Sequence, residues 1–170
     1  MHYSTLLHRL QQIEAVQRSE CKSAETALRA LLRECESASE QHDRRSLQTL
    51  VSLATKLSGQ ARDAEIEEIG RFIAAHAAHV NPRDCSHHFS HDGLYFIALA
   101  QRNQHKIELA EASLREALDV VVSNWGWQYS VALEILVVLE TWLTERGKYA
   151  EAAEVRDKIK GIVASMDATL

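Results

Sequence analysis

Few turn-forming residues, few cysteines and no excess of positive charge characterise this sequence. Its 170 residues include only six glycines and one proline, which argues against a fold of many short strands joined by tight turns. The three cysteines, an odd number, fit no closed disulfide framework and predict a reducing, cytoplasmic location. The net charge of −5 argues against nucleic-acid binding, because nucleic-acid-binding proteins usually present a basic surface.

Long apolar runs and short catalytic motifs are missing as well. No stretch is long and apolar enough to span a bilayer without an interrupting glutamate, so we expect no membrane span. Residues 1–4 are not the start of a cationic region followed by an apolar core, so we expect no signal peptide. The isolated glycines exclude Walker-type, dinucleotide-binding and G-x-S-x-G patterns. Consecutive carboxylates such as Glu67 and Glu68 are expected on a solvated helix face. These absences predict a protein without enzymatic activity.

Apolar residues recur at three- and four-residue steps along nearly the whole chain, which indicates an all-α protein. The pattern predicts about seven helices in a single domain spanning residues 1–170, with residues 1–58 forming an N-terminal helical hairpin. The predicted helices cover residues 4–38, 44–58, 63–80, 92–104, 106–123, 128–146 and 149–166.

The C-terminal half contains a repeated pattern of apolar and small residues. Leu94-x2-Ile97-Ala98 precedes Ala110-x3-Leu114, and Leu136-x2-Leu139 precedes the turn segment G-K-Y-A-E-A at 147–152. Over about residues 91–166 this pattern resembles the tetratricopeptide repeat. The resemblance implies stacked antiparallel helical hairpins and a non-enzymatic scaffold that binds a peptide or protein segment. The alternative for the same residues is an ordinary helical bundle in which alanines pack where helices cross.

The segment 76–91 is rich in histidine and contains one cysteine. His76 and His79 lie three residues apart on a predicted helix, and Cys85 and His88 lie in the adjoining predicted loop, so the four side chains are candidate zinc ligands. Their spacing matches no zinc module, and we favour a solvated loop without a cofactor. A metal site, or a pH sensor of clustered histidines, is the alternative.

Two features point to a protein partner. The predicted helix 4–38 has a narrow apolar seam, and the segment 131–143 is apolar nearly all round. Trp125 and Trp127 flank Gly126 and are either interface anchors or plugs at the end of a core. The predicted function is an adaptor or chaperone, such as a secretion chaperone, in a homodimer or heterocomplex. The candidate contact residues of the seam are Leu6, Leu10, Ile13 and Leu28.

Overall fold

The computed structural model describes residues 44–58, 60–77 and 87–167, and these residues contain no strand. Their helices are α1 (Arg44–Leu57), α2 (Asp63–Ala77), α3 (His87–Asn103), α4 (Ile107–Trp125), α5 (Ser130–Glu145) and α6 (Tyr149–Asp167). The prediction of an all-α protein is confirmed. The predicted helix 4–38 lies outside the described residues.

The start of α3 corrects one predicted boundary. The helix begins at His87 instead of Asp92, so its first turn belongs to the segment predicted as a histidine-rich loop. Phe89 is buried and lies seven residues before the buried Phe96, a spacing that puts both rings on one helix face. Both rings pack into the apolar cluster that α1 and α2 also form. Burial of Phe89 therefore favours helix over a solvated loop here.

Short connections join the six helices in pairs. Residues 58–62 connect α1 to α2, residues 104–106 connect α3 to α4, and residues 146–148 connect α5 to α6. Connections of this length between helices that contact one another produce helical hairpins. Contacts of α2 with α3 and of α4 with α5 join the successive hairpins, and α1 also contacts α3.

The three hairpin turns share one backbone geometry. Each contains a residue in the left-handed region, and these residues are Ala61, His105 and Gly147, with φ of 55°, 60° and 73°. In each turn the carbonyl of the next residue, a cation every time, accepts a hydrogen bond from the N–H group four residues later. These cations are Arg62, Lys106 and Lys148. The same turn thus recurs at intervals of 44 and 42 residues along the chain.

Two apolar clusters form the core, and α3 contributes to both. Phe96 and Ala100 of α3 belong to the cluster formed with α1 and α2. Ala98, from another side of α3, belongs to the cluster formed with α4, α5 and α6. Because α3 is shared, residues on its surface lie close to helices of both clusters.

Helices α2 and α3 approach each other closely at two glycines. A Cβ atom added to Gly93 of α3 would lie 2.7 Å from the carbonyl oxygen of Gly70 and 2.7 Å from the backbone nitrogen of Ala74, both on α2. A Cβ atom added to Gly70 would lie 2.7 Å from the carbonyl oxygen of Gly93. The absence of side chains at these two positions allows the backbones of α2 and α3 to touch.

Candidate functional site

A groove opens between α1, α3 and α5, the first helices of the three hairpins. Its volume is about 390 Å³, within the range typical of ligand pockets. The α1/α3/α5 groove is lined by Val51, Thr55 and Ser58 from α1 and its C-terminal end, by His91, Asp92, Tyr95, Phe96 and Leu99 from α3, and by Val131, Glu134 and Ile135 from α5.

Helical spacing explains why these residues converge. Asp92, Tyr95 and Leu99 are separated by three and four residues, so their side chains follow one another along one face of α3. Val131 and Glu134 are three residues apart and occupy one face of α5 in the same way. The groove is therefore formed where one face of α3 lies between α1 and α5.

The groove combines apolar walls with two carboxylates. Phe96 and Ile135 are buried at its base, and Leu99 is half-buried beside them. Asp92 of α3 and Glu134 of α5 supply the carboxylates, and none of the described lining residues is lysine or arginine. The groove thus offers apolar surface together with negative charge.

The ionisable groups of the groove are perturbed by burial. Burial raises the pKa of Asp92 from 3.8 to about 6. Burial, followed by the charge of Glu134, raises the pKa of Tyr95 above its usual value of 10.0. The ring nitrogen Nε2 of His91 lies 3.4 Å from Oδ1 of Asp92. Ionised Asp92 is therefore poorly solvated in the folded chain, which is unusual for a carboxylate at neutral pH.

Glu67 corrects the prediction of a solvated carboxylate pair. Its side chain is buried, and Oε2 accepts hydrogen bonds from Gln104 (2.9 Å) and Lys106 (3.2 Å) in the turn between α3 and α4. Gln101 donates to Oε1 at 3.4 Å, and Arg71 forms an ion pair with the same carboxylate. Burial alone would raise the pKa of Glu67, but these hydrogen bonds and the charge of Arg71 outweigh it and lower the pKa. Because its partners come from a later hairpin, sequence spacing alone did not reveal this role.

Glu111 of α4 repeats the arrangement one hairpin later. Its buried carboxylate accepts hydrogen bonds from Arg146 (2.7 Å) and Lys148 (3.1 and 3.2 Å) in the turn between α5 and α6. Arg115, four residues after Glu111, pairs with it as Arg71 pairs with Glu67. Burial would raise the pKa of Glu111, but hydrogen bonds and charges from Arg115 and Lys148 lower it. We call Glu67 and Glu111, with the turn residues they bind, the carboxylate clamps.

The structure describes only part of the predicted histidine and cysteine site. His76 lies on α2, where its ring stacks on Phe72 and its Nδ1 lies 2.8 Å from the carbonyl oxygen of Phe72. His79, Cys85 and the side chain of His88 lie outside the described residues. Within the described ranges, no three His, Cys, Asp or Glu side chains are grouped as metal ligands would be.

The two predicted anchor tryptophans lie between surface and core. Trp125 and Trp127 are half-buried and pack against the cluster of α3–α6. The ring of Trp125 stacks on Tyr129, with centroids 5.2 Å apart, and Nζ of Lys158 lies 3.3 Å from the centroid of Trp127. Both rings therefore contact other described aromatic or cationic side chains of the chain.

Helix α5 is less enclosed than its composition suggested. Six of its residues belong to the core, but Val137 is 49% exposed and Leu133 and Val138 are only half-buried. The predicted seam residues Leu6, Leu10, Ile13 and Leu28 lie outside the described residues. None of the six described helices combines the length and apolar character needed to cross a membrane.

Comparison with known proteins adds no family assignment. No protein-family model matches the chain, and no curated protein matches its sequence. The residues of the α1/α3/α5 groove were not predicted as a site, because they come from three helices that only the folded chain brings together. The signal available in the sequence was the repeated hairpin pattern, since corresponding helices of stacked hairpins share one face.

Proposed function

We propose that the chain is a non-enzymatic adaptor or chaperone that holds a segment of a partner protein in the α1/α3/α5 groove. The observation that carries this proposal is the groove itself, which is continuous across the first helices of all three hairpins. Repeated helical hairpins commonly use such a surface for extended binding partners. A partner segment that crosses the groove meets apolar surface from Phe96 and Leu99 and the carboxylates of Asp92 and Glu134.

Two further features support a repeat architecture of the tetratricopeptide type. The left-handed turn recurs in all three hairpins, and the carboxylate clamp recurs between successive hairpins. Ala110 and Ala152 are buried at corresponding positions, four residues after the turn cations. An ordinary bundle does not require its turns and clamps to repeat in register. The odd number of cysteines supports a cytoplasmic location for this adaptor.

We also propose that the chain associates, either with itself or in an obligate heterocomplex. The basis is the apolar seam of Leu6, Leu10, Ile13 and Leu28 together with the exposed Val137 of α5. Light scattering across a dilution series should give a mass above one chain for the purified homodimer. Leu10→Glu combined with Ile13→Glu should reduce that mass to one chain. A single-chain mass for both proteins excludes the homodimer.

The groove is tested by filling it. Thr55 lines the groove, whereas Ser52 is exposed on α1 and does not line it. Both hydroxyls donate a hydrogen bond to the carbonyl oxygen four residues earlier, so the two positions have the same local structure. Thr55→Trp should therefore block the groove, and Ser52→Trp is the matched control.

A photo-crosslinking residue at Leu99 in native cells, followed by mass spectrometry, identifies the partner segment. The corresponding synthetic peptide should bind the purified full chain, and Thr55→Trp should weaken binding at least about tenfold, a loss of about 1.4 kcal/mol. Ser52→Trp should bind as the wild type does. Equal binding by both variants would show that the partner uses another surface.

A further inference from the structure

We propose that the α1/α3/α5 groove selects a partner segment in which a lysine or arginine lies next to a large apolar side chain. The cation would lie between Asp92 of α3 and Glu134 of α5, and the apolar side chain would pack on Leu99 and Phe96. This inference rests on the proposed function, since it names the chemistry of the segment that the groove holds.

The charge of the groove is the first step. Among its described lining residues, the ionisable groups are Asp92, Glu134, Tyr95 and His91, and none is lysine or arginine. The charge of Glu134 contributes to the raised pKa of Tyr95, so this carboxylate makes the electrostatic potential inside the groove more negative. Two carboxylates that line one groove, one from α3 and one from α5, attract a cationic side chain and repel an acidic one.

The contrast with the carboxylate clamps is the second step. Glu67 and Glu111 are each bound by a lysine from a turn of the same chain. Within the described residues, neither Asp92 nor Glu134 pairs with a lysine or arginine, and Nε2 of His91 lies 3.4 Å from Asp92. Among the described residues, the buried Glu67 and Glu111 are thus bound by the chain's own lysines, whereas the half-buried Asp92 and the exposed Glu134 of the groove are not.

The apolar surface is the third step. Phe96 and Ile135 close the base of the groove, and Val51 and Leu99 line it above them. A lysine or arginine alone would leave this surface in contact with water. A neighbouring large apolar side chain covers it, and the aliphatic part of the basic side chain adds to that contact.

The inference has a consequence for pH. Asp92 has a pKa of about 6, so it gains its negative charge between about pH 5 and pH 7. Binding of the cationic segment should therefore strengthen over this range. Asp92→Asn should remove most of this pH dependence.

The test is selection from a random peptide library displayed on phage, with the purified full chain as the target. We expect enriched peptides to pair a lysine or arginine with a large apolar residue. A fluorescein-labelled enriched peptide should bind about tenfold more weakly to Asp92→Asn and to Glu134→Gln. Asp119→Asn and Glu116→Gln, which change exposed carboxylates of α4 outside the groove, should bind as the wild type does.

The other outcomes separate this inference from the proposed function. Enriched peptides without a basic residue that are still blocked by Thr55→Trp would overturn the inference and leave the proposed function standing. Peptides insensitive to Thr55→Trp would overturn both. Synthetic peptides from residues 1–43 that compete for the groove would identify the occupant as the chain itself. A dimer dissociated by Thr55→Trp would identify it as a second copy, and either result overturns the basic partner segment.

Discussion

The close contact of α2 and α3 at Gly93 predicts that a glycine-to-alanine substitution there lowers the stability of the fold. The same substitution at Gly161, away from such a contact, should raise it. In Gly93→Ala the new Cβ would lie 2.7 Å from two backbone atoms of α2. Backbone atoms cannot rotate away as the end of a side chain can, so the two helices must separate. In Gly161→Ala, on α6, no described atom lies within 4 Å of the new Cβ. The second variant therefore measures helix propensity alone.

The expected magnitudes follow from two opposing effects. Alanine in a helix interior is favoured over glycine by about 1 kcal/mol, and both variants gain this. Overpacking costs about 1–3 kcal/mol, and a clash between backbones belongs near the upper end. Gly93→Ala should therefore lower the free energy of unfolding by about 2 kcal/mol, and Gly161→Ala should raise it by about 1 kcal/mol.

Urea unfolding followed by circular dichroism measures both changes, and thermal unfolding provides a check. A loss of about 2 kcal/mol corresponds to a midpoint lowered by about 4–8 °C for a chain of this size. The refuting result is a Gly93→Ala variant that is stabilised to the same extent as Gly161→Ala. That result would mean that α2 and α3 do not cross in contact at this position.

Three further substitutions test the groove, a clamp and a helix crossing. Because burial raises the pKa of Asp92 from 3.8 to about 6, the folded chain binds this proton more tightly than the unfolded chain, and stability falls as pH rises from about 4 to 6. Asp92→Asn should abolish this fall and, allowing for partial exposure, increase stability by about 1–2 kcal/mol at pH 7.5 in urea unfolding; an unchanged pH profile contradicts it. The pKa of Glu111 is lowered, so its stabilisation is present above its unfolded value of 4.5 and is lost as pH falls through the folded pKa. Glu111→Gln should cost about 1–3 kcal/mol at pH 7 and much less at pH 3; an equal cost at both would refute the clamp. Ala152→Leu should cost about 1–3 kcal/mol, whereas Ala150→Leu, at an exposed position of α6, should change the thermal midpoint little.

Helix periodicity was sufficient to predict most of the described fold. The predicted helices 44–58, 106–123 and 149–166 agree with α1, α4 and α6 within a few residues. Each has an apolar stripe long enough for its helical period to be distinguished from that of a strand. The start of α3 was missed because Phe89 is the one apolar residue of the segment 87–91, whose other four residues are polar. The polar composition of this segment led to the prediction of a loop, whereas burial of the Phe89 ring favours the helix.

The groove and the clamps depend on which helices become neighbours, and one sequence contains no direct signal for that. Asp92 reads as an ordinary helical residue until α1 and α5 lie on either side of it. Glu67 reads as a surface carboxylate until the turn at Lys106 covers it. In both cases the environment of the carboxylate is set by residues about 40 positions away.

The carboxylate clamps have a consequence for how the chain unfolds. Each clamp joins the second helix of one hairpin to the turn of the next, at Glu67 with Lys106 and at Glu111 with Lys148. If α5 and α6 were to open, Glu111 would lose two of its cations while still packed in the remaining hairpins. Local opening of one hairpin therefore destabilises the next one, because a buried carboxylate there loses its cations. The hairpins should thus exchange their amide hydrogens together instead of one at a time.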